Sequence, residues 1–279
     1  MRLAVFLKYV LDPEILSRDF KIDPATGIPT TTFPNYQFDQ YDCIALEIAL
    51  KMRDQHASDL EIASVCAGPE AAEDRLREAL AIKVDEAILI ETSDNRLSDH
   101  DRGRLLARWA ERQGNISVIL CGRMTSDTDS SETGPVIAET LGRPLISNVV
   151  RIEKREGRVV CKREVGDGYE WRFVDLPFVA TATNAPDTKL RKARLQDVMR
   201  AHKLHIQRLA AQDFQDGSES QRGLRAIRTY VPNINRVCDY IDGDSAREKA
   251  RELSARLLPL LDRKAIAQRR ALRRRKPMP

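Results

Sequence analysis

Along the first 150 residues, short apolar runs alternate with longer amphipathic stretches. Leu3–Lys8, Leu60–Cys66, Glu86–Ile90 and Val118–Cys121 are brief, rich in β-branched residues and bounded by breakers, which predicts strands. Tyr41–Arg53 places Ile44, Ile48 and Met52 at i, i+4 and i+8, one stripe of a helix. Ala71–Ile82, Arg102–Arg112 and Glu132–Leu141 repeat that spacing. The β-α-β-α order predicts an α/β protein with a parallel sheet flanked by helices. Such sheets bind ligands beyond the carboxyl ends of their strands.

The rhythm then changes. Val149–Lys154, Arg158–Glu164, Glu170–Val174 and Phe178–Thr183 read as strands joined by short turns at Gly157 and at Gly166-Asp167-Gly168. These predict added antiparallel strands, with Pro177 opening the last of them, where a missing N–H does least harm. From Asn184 the pattern weakens. Gln196–His202 predicts a helix, and the polar, Gly- and Ser-containing stretch Gln212–Leu224 predicts a linker. Ser245–Leu261 predicts an amphipathic helix with Ala250, Leu253, Leu257 and Leu260 on one side. Two regions result: 1–205, an α/β domain, and 206–279, a C-terminal helical arm ending in a basic tail, 263–279.

Charge changes the picture only at that tail. The net charge is +4, yet residues 263–279 hold eight basic residues and no acidic one, so the remainder is acidic by four. The tail would attract phosphate backbones, but it lacks interleaved aromatics. A solvated end or a partner contact is therefore expected, rather than nucleic-acid binding. Five cysteines, an odd number with no CxxC pair, argue against a disulfide framework or zinc site. The apolar runs are too short to span a bilayer, and the N-terminus lacks the features of a signal peptide. A cytoplasmic protein is expected.

The most informative stretch is Cys121-Gly122-Arg123-Met124-Thr125-Ser126-Asp127-Thr128-Asp129-Ser130-Ser131-Glu132-Thr133-Gly134-Pro135. It follows a predicted strand, precedes a predicted helix and is crowded with hydroxyl residues. Backbone N–H groups and hydroxyls can converge there on an anion at a helix N-terminus. Ser and Asp are also good N-caps, so a simply capped loop explains the same residues. Neither GxxxxGK[ST] nor GxGxxG occurs. Val65-Cys66-Ala67-Gly68-Pro69 is a second strand end with small residues, and Cys66 reads as a buried core thiol. Acid–base machinery is scarce. His56, His100, His202 and His205 show no HExxH spacing, no GxSxG elbow occurs, and Asp127 and Asp129 are explained as well by capping as by metal binding.

Several blocks together resemble the electron-transfer flavoprotein β family. Lys8 and Asp12 resemble its K-x-x-x-D start. Asp39–Leu50 resembles N-P-x-x-x-x-A-x-E-x-A-L, and Val65–Pro69 its turn after the next strand. Ala79-Leu80-Ala81 with Asp85-Glu86-Ala87 resembles A-L-A-x-G-A-D-x-A. The 121–135 loop resembles G-[KR]-Q-x-x-D-x-D-x-x-x-T-G-x. Glu170 with Leu176-Pro177 and Val179 resembles E-x-x-x-x-x-L-P-x-[VL]. Asn184-Ala185-Pro186, Leu195 and Val198–Lys203 resemble N-x-P…L-x-x-I-M-K-A-K-K. Asp39 stands where the family has Asn, Gln40 where it has Pro, Met124 where it has Gln, and Gly166 where it prefers an acid. Thr133-Gly134 resembles the AMP-binding subset and Pro135 the electron-bifurcating one.

The resemblance implies an adenine-nucleotide α-hydrolase-like fold and an electron carrier that is not catalytic alone. This subunit would bind AMP, or FAD if bifurcating, and an α subunit would hold the redox FAD in a heterodimer. Electrons would pass from partner dehydrogenases to a downstream quinone reductase or other acceptor. The implied nucleotide site is Phe6, Asp39, Gln40, Tyr41, Asp42, Cys66 and Gly122 to Thr133. A carboxylate at 39 would repel phosphate unless it points at ribose or adenine. The segment 184–203, with an apolar Leu195 among basic residues, resembles the loop that docks onto dehydrogenases. The Ser245–Leu261 helix would lay its apolar face on the α partner. A non-redox adenine-nucleotide binder on the same fold is the alternative.

Overall fold

The computed structural model describes residues 1–16, 18–25, 27, 29–56, 60–92, 97–185, 188–214, 230–231 and 238–261. In chain order the strands and helices are β1 Arg2–Phe6, β2 Tyr9–Leu11, β3 Phe20–Ile22, β4 Pro29–Thr31, β5 Tyr36–Phe38, α1 Gln40–His56, β6 Glu61–Gly68, α2 Glu73–Ala81, β7 Glu86–Glu91, α3 Asp99–Gln113, β8 Ile116–Gly122, α4 Thr133–Leu141, β9 Leu145–Arg155, β10 Arg158–Val165, β11 Gly168–Val174, β12 Phe178–Ala182, α5 Leu195–Ala201, β13 Gln207–Ala210 and α6 Ala246–Leu261. They group into two units, Met1–Tyr230 and Val231–Pro279.

The first unit is built on a nine-stranded sheet in the order β11-β10-β9-β12-β8-β1-β6-β7-β13. Strands β1, β6, β7, β8, β12 and β13 run parallel, and β9 joins them parallel to β12. β10 and β11 form the antiparallel far edge. Alternation along β1 sorts its side chains between two cores. Leu3, Val5 and Leu7 pack with Ile48 and Met52 of α1 and Leu76 of α2. Ala4 and Phe6 pack with Trp109 of α3 and Ile137 of α4. Both faces are therefore covered, as a parallel sheet requires.

The predicted strands and helices of the first half form, with ends displaced by a few residues. Four features differ. Phe178–Thr183 does not extend the antiparallel part: β12 is a central strand, parallel to both β8 and β9. All five of its residues are buried, and burial on both faces selects the parallel core. The Leu176–Pro177 peptide before it is cis. Residues 9–38, for which no elements are predicted, form two small antiparallel pairs, β2 with β5 and β3 with β4. β13 adds an edge strand beside β7. The predicted linker begins inside a 3-10 turn, Ala211–Phe214, whose Phe214 ring is buried with Arg112 4.8 Å above it. The rest of that linker and the tail 263–279 lie outside the described residues.

In the second unit, α6 takes the predicted span. Ser245 Oγ accepts the Glu248 N–H at its start. Leu253, Leu257 and Leu260 are each more than two-fifths exposed. Among the described residues no helix is long and apolar enough to cross a membrane.

Candidate functional site

From β1 the chain crosses through α1 to β6 on one side, and through α3 it returns to β8 on the other. The carboxyl ends of β1 and β8 are thus the switch point of the sheet, where a crevice opens. Two chain segments meet there: Leu7-Lys8 after β1, and the loop from Gly122 after β8.

Charged side chains hold these segments together. The Lys8 ammonium is buried and lies 2.7 Å from Asp99 Oδ1 at the start of α3 and 2.8 Å from Asp127 Oδ1 in the loop. Thr128 Oγ1 donates to the other Asp99 oxygen at 3.0 Å. Burial pushes Asp127 up, but the Lys8 charge and hydrogen bond outweigh it and hold the carboxyl below its usual range. Asp42 accepts the Lys8 amide at 2.7 Å and the Gly122 amide at 2.6 Å, one on each oxygen. It thereby bridges the ends of β1 and β8. Burial, and then the neighbouring Asp39, push the Asp42 carboxyl well above its usual range, against the pull of those two amides.

Asp39 is fully buried and turned onto protein donors. Its Oδ1 accepts the Tyr41 amide at 2.9 Å, and its Oδ2 accepts the Ser126 amide at 2.6 Å and the Ser126 hydroxyl at 2.5 Å. The carboxylate that stands where the resembled family has Asn is occupied in pinning the loop to the start of α1. Gly122 is required by packing: a Cβ there would lie 2.7 Å from Tyr41 Cβ. A Cβ on Gly134 would lie 2.3 Å from Thr181 Cγ2, so glycine lets α4 seat on β12.

Within the loop, Thr125 donates its amide to Ser130 O at 2.9 Å, Asp129 donates to Thr125 O at 2.9 Å, and the hydroxyls of Thr125 and Thr128 meet at 2.7 Å. Asp129 takes a left-handed conformation, φ 53°. The loop then enters α4 without a side-chain cap from Glu132. Among the described residues, the amides of Ser130, Ser131, Thr133 and Gly134 find no protein acceptor. A helix N-terminus with open donors is suited to an anion. Ser130, Ser131 and Thr133 border a cleft lined also by Phe6, Lys8, Arg102, Arg123 and Met124. The cavity within it is small, about 20 Å³, with room for roughly one water.

The other predicted positions divide. Phe6 is buried in the α3 side of the core, edge-on to Trp109 at 5.9 Å, and still forms part of the cleft floor. Arg123 lies over the Tyr41 ring at 5.1 Å and donates to its hydroxyl at 3.2 Å, covering one side of the cleft. Gln40 is exposed at the start of α1. Cys66 is fully buried on the opposite face of the sheet, away from the cleft lining, and burial pushes its thiol up to about 12. Asp12 binds Asn35 at 3.0 Å and serves the β2–β5 pair. Lys8 and Arg102 line the cleft and Asp99 braces Lys8, none of which the loop motif reveals. Lys8 carried a signal, a charge directly after the first apolar run. Asp99 and Arg102 sit at the start of α3 with no local mark. Arg102 Nη1 donates to Ala67 O, fixing the end of β6. Among the described residues no three His, Cys, Asp or Glu side chains group as metal ligands.

Leu195 opens α5 and is 76 % exposed, as Met199 is at 65 %. Its segment is anchored by Arg191, whose guanidinium meets Glu47 Oε1 at 2.9 Å and Asp54 Oδ2 at 2.7 Å, while its amide donates to Glu47 Oε2 at 3.0 Å.

A sequence model described as electron transfer flavoprotein domain matches residues 31–214, which span the first helix, the 122–133 loop and α5. The chain belongs to the electron transfer flavoprotein family. Chains named electron transfer flavoprotein subunit beta are among those it is similar to. An electron transfer flavoprotein subunit beta of Thermoanaerobacterium thermosaccharolyticum is 28 % identical over 272 residues, covering 92 % of this chain and 98 % of the relative. That of Megasphaera elsdenii is 32 % identical over 247 residues, covering 84 % and 87 %. Protein FixA of Azorhizobium caulinodans is 29 % identical over 248 residues, covering 84 % of each. The resemblance read from the loop, the Asp39–Leu50 block and the Leu195 segment is thus the family's, and the role of the chain is that of an electron transfer flavoprotein beta subunit.

Proposed function

We propose that the chain binds an adenine nucleotide, AMP or the AMP half of FAD, across the mouth of the switch-point cleft. In the cytoplasm it then pairs with an FAD-carrying α subunit to relay electrons from dehydrogenases to an acceptor such as a quinone reductase. The open amides of Ser130, Ser131, Thr133 and Gly134 at the start of α4 support this reading most directly. They are donors without acceptors, and a phosphate supplies acceptors. The buried carboxylates do not oppose it, because Asp39, Asp42, Asp99 and Asp127 are already turned onto protein donors. The cavity in the cleft is too small for a base. The phosphate would therefore enter at the amides, with Arg123 over Tyr41 flanking the nucleoside outside. The flavin in the partner supplies the redox chemistry. The residues of this chain bind, orient and exclude water. Leu195 and Met199, apolar and exposed beside Arg194 and Arg200, present a small anchor to a dehydrogenase.

Co-expression with an α subunit, followed by quantification of released nucleotides, tests this. About one FAD and one AMP per dimer supports the conventional carrier. Two FAD places flavin in this cleft and supports bifurcation. A complex that carries FAD but nothing in this subunit overturns the nucleotide site. No complex and no flavin leaves a non-redox nucleotide binder on the same fold.

A further inference from the structure

α5 is a seven-residue helix, too short to hold its shape alone, and only Ala201 of it is buried. Beneath it lies a cavity of about 720 Å³, bordered by Leu46 of α1, Ala79 of α2 and Val198 and Ala201 of α5. Apolar packing therefore leaves the direction of the helix open, and polar ties at its two ends decide it. The Arg191 fork holds the chain before α5. After α5 the tie is Arg77, which reaches across from α2.

Arg77 Nη1 donates to Ala201 O and His202 O at 3.3 Å and to Leu204 O at 3.2 Å. These carbonyls lie at the end of α5 and in the turn after it, where a helix gathers partial negative charge. Arg77 Nη2 meets Glu73 Oε1 at 2.5 Å, one turn earlier on α2. The other oxygen, Glu73 Oε2, accepts Arg208 Nε at 2.8 Å, and Arg208 Nη1 donates to Glu70 Oε1 at 2.8 Å. Arg208 lies on β13, the strand that follows α5. One carboxylate on α2 thus holds both sides of the 201–208 turn, the helix end through Arg77 and the next strand directly. Burial raises the Glu73 carboxyl, but the hydrogen bonds from Arg208 and Arg77 outweigh it and hold it below its usual range. A planar guanidinium serves the carbonyls with one nitrogen and Glu73 with the other, whereas an ammonium presents a single point.

We propose that Arg77 is a positioning residue for the dehydrogenase contact: braced by Glu73, it fixes the end of α5 and so the direction in which Leu195 and Met199 are presented. The proposal rests on the reading that Leu195 anchors a dehydrogenase, and it does not involve the nucleotide cleft.

The test is electron transfer from the dehydrogenase that reduces the wild-type α–β complex, measured over a range of complex concentrations. Arg77→Met is expected to raise the apparent KM for the complex about fivefold or more, with kcat within about twofold, the signature of weakened docking rather than altered chemistry. Arg77→Lys returns the charge without the fork and is expected to recover part of that rise. Hydrogen exchange should quicken at the amides of 195–204 and stay unchanged in the 122–133 loop. An unchanged KM in Arg77→Met, while Leu195→Ala raises it, overturns this proposal alone. So does a fall in kcat accompanied by faster exchange in the 122–133 loop, which would mark a general loosening of the unit. A Leu195→Ala variant with unchanged KM removes the dehydrogenase reading itself, and this proposal with it.

Discussion

The loop after β8 and the segment carrying α5 both display polar and apolar groups at the surface of one α/β unit, yet they are held in opposite ways. The loop is tied from below by buried charge: Lys8, Asp39, Asp42 and Asp99 each bind a different point of it or of its strand. The α5 segment is held at its base by the fork between Arg191 and Glu47, and its apolar residues stand free. A small ligand needs donors fixed to within a fraction of an ångström, which buried networks supply. A protein partner needs an exposed anchor, which one clamp can present.

Breaking the first arrangement should cost most. Lys8→Met leaves Asp99 and Asp127 facing each other without their cation, and should lower unfolding free energy by about 3 kcal/mol in urea titration. The pH dependence should move with it. The folded pKa of Asp127 lies below its unfolded value, so its contribution is present above the unfolded pKa and is lost as pH falls through the folded one. Without Lys8 the folded pKa rises, and acid-induced loss of stability should begin at a higher pH than in the wild type. An unchanged acid limb would show that Lys8 does not govern Asp127. Asp39→Ala strips the acceptor from three donors and should cost about 2 kcal/mol, with faster amide exchange at Ser126 as the specific readout. If exchange there stays slow, the loop has another support.

The second arrangement should be softer. Glu47→Gln weakens the Arg191 fork. About 1 kcal/mol is expected, a low figure because Arg191 is one-third exposed, with exchange rising across 188–203 while the 122–133 loop is unmoved. Leu195→Ala should change stability by no more than about 0.5 kcal/mol, since the side chain is mostly in water. Under the proposed function it should still raise the apparent KM of the α–β complex for its dehydrogenase. A stability loss as large as that of Lys8→Met would erase the contrast between the two regions.

Much of this was legible in the chain. The stripe Ile44, Ile48 and Met52 is buried as its spacing requires, and the 122–133 loop does sit between a strand end and a helix start. Leu195 is exposed, as an apolar residue among basic ones suggested. Cys66 proved to be a core thiol turned from the cleft. The position was readable, but the face of the sheet was not, because both faces of a parallel strand are apolar. The parallel direction of β12 departs from the predicted one for the same kind of reason. Short turns and alternation describe 148–174 well, but a five-residue apolar run looks alike in a hairpin and in a parallel core.

By itself, the sequence determined the order of the main strands and helices, the crevice end of the sheet and the loop most suited to an anion. These follow from periodicity and turn chemistry, which act over a few neighbouring residues. Only the tertiary structure decided what the charges do. Lys8 meets Asp127 across 119 positions and Asp42 meets Gly122 across 80, distances over which no local pattern carries information. Whether a buried carboxylate confronts a ligand or pins a loop depends on which donors the folded chain brings within about 3 Å of it, and that is fixed by the packing of α1 and α3 on the sheet.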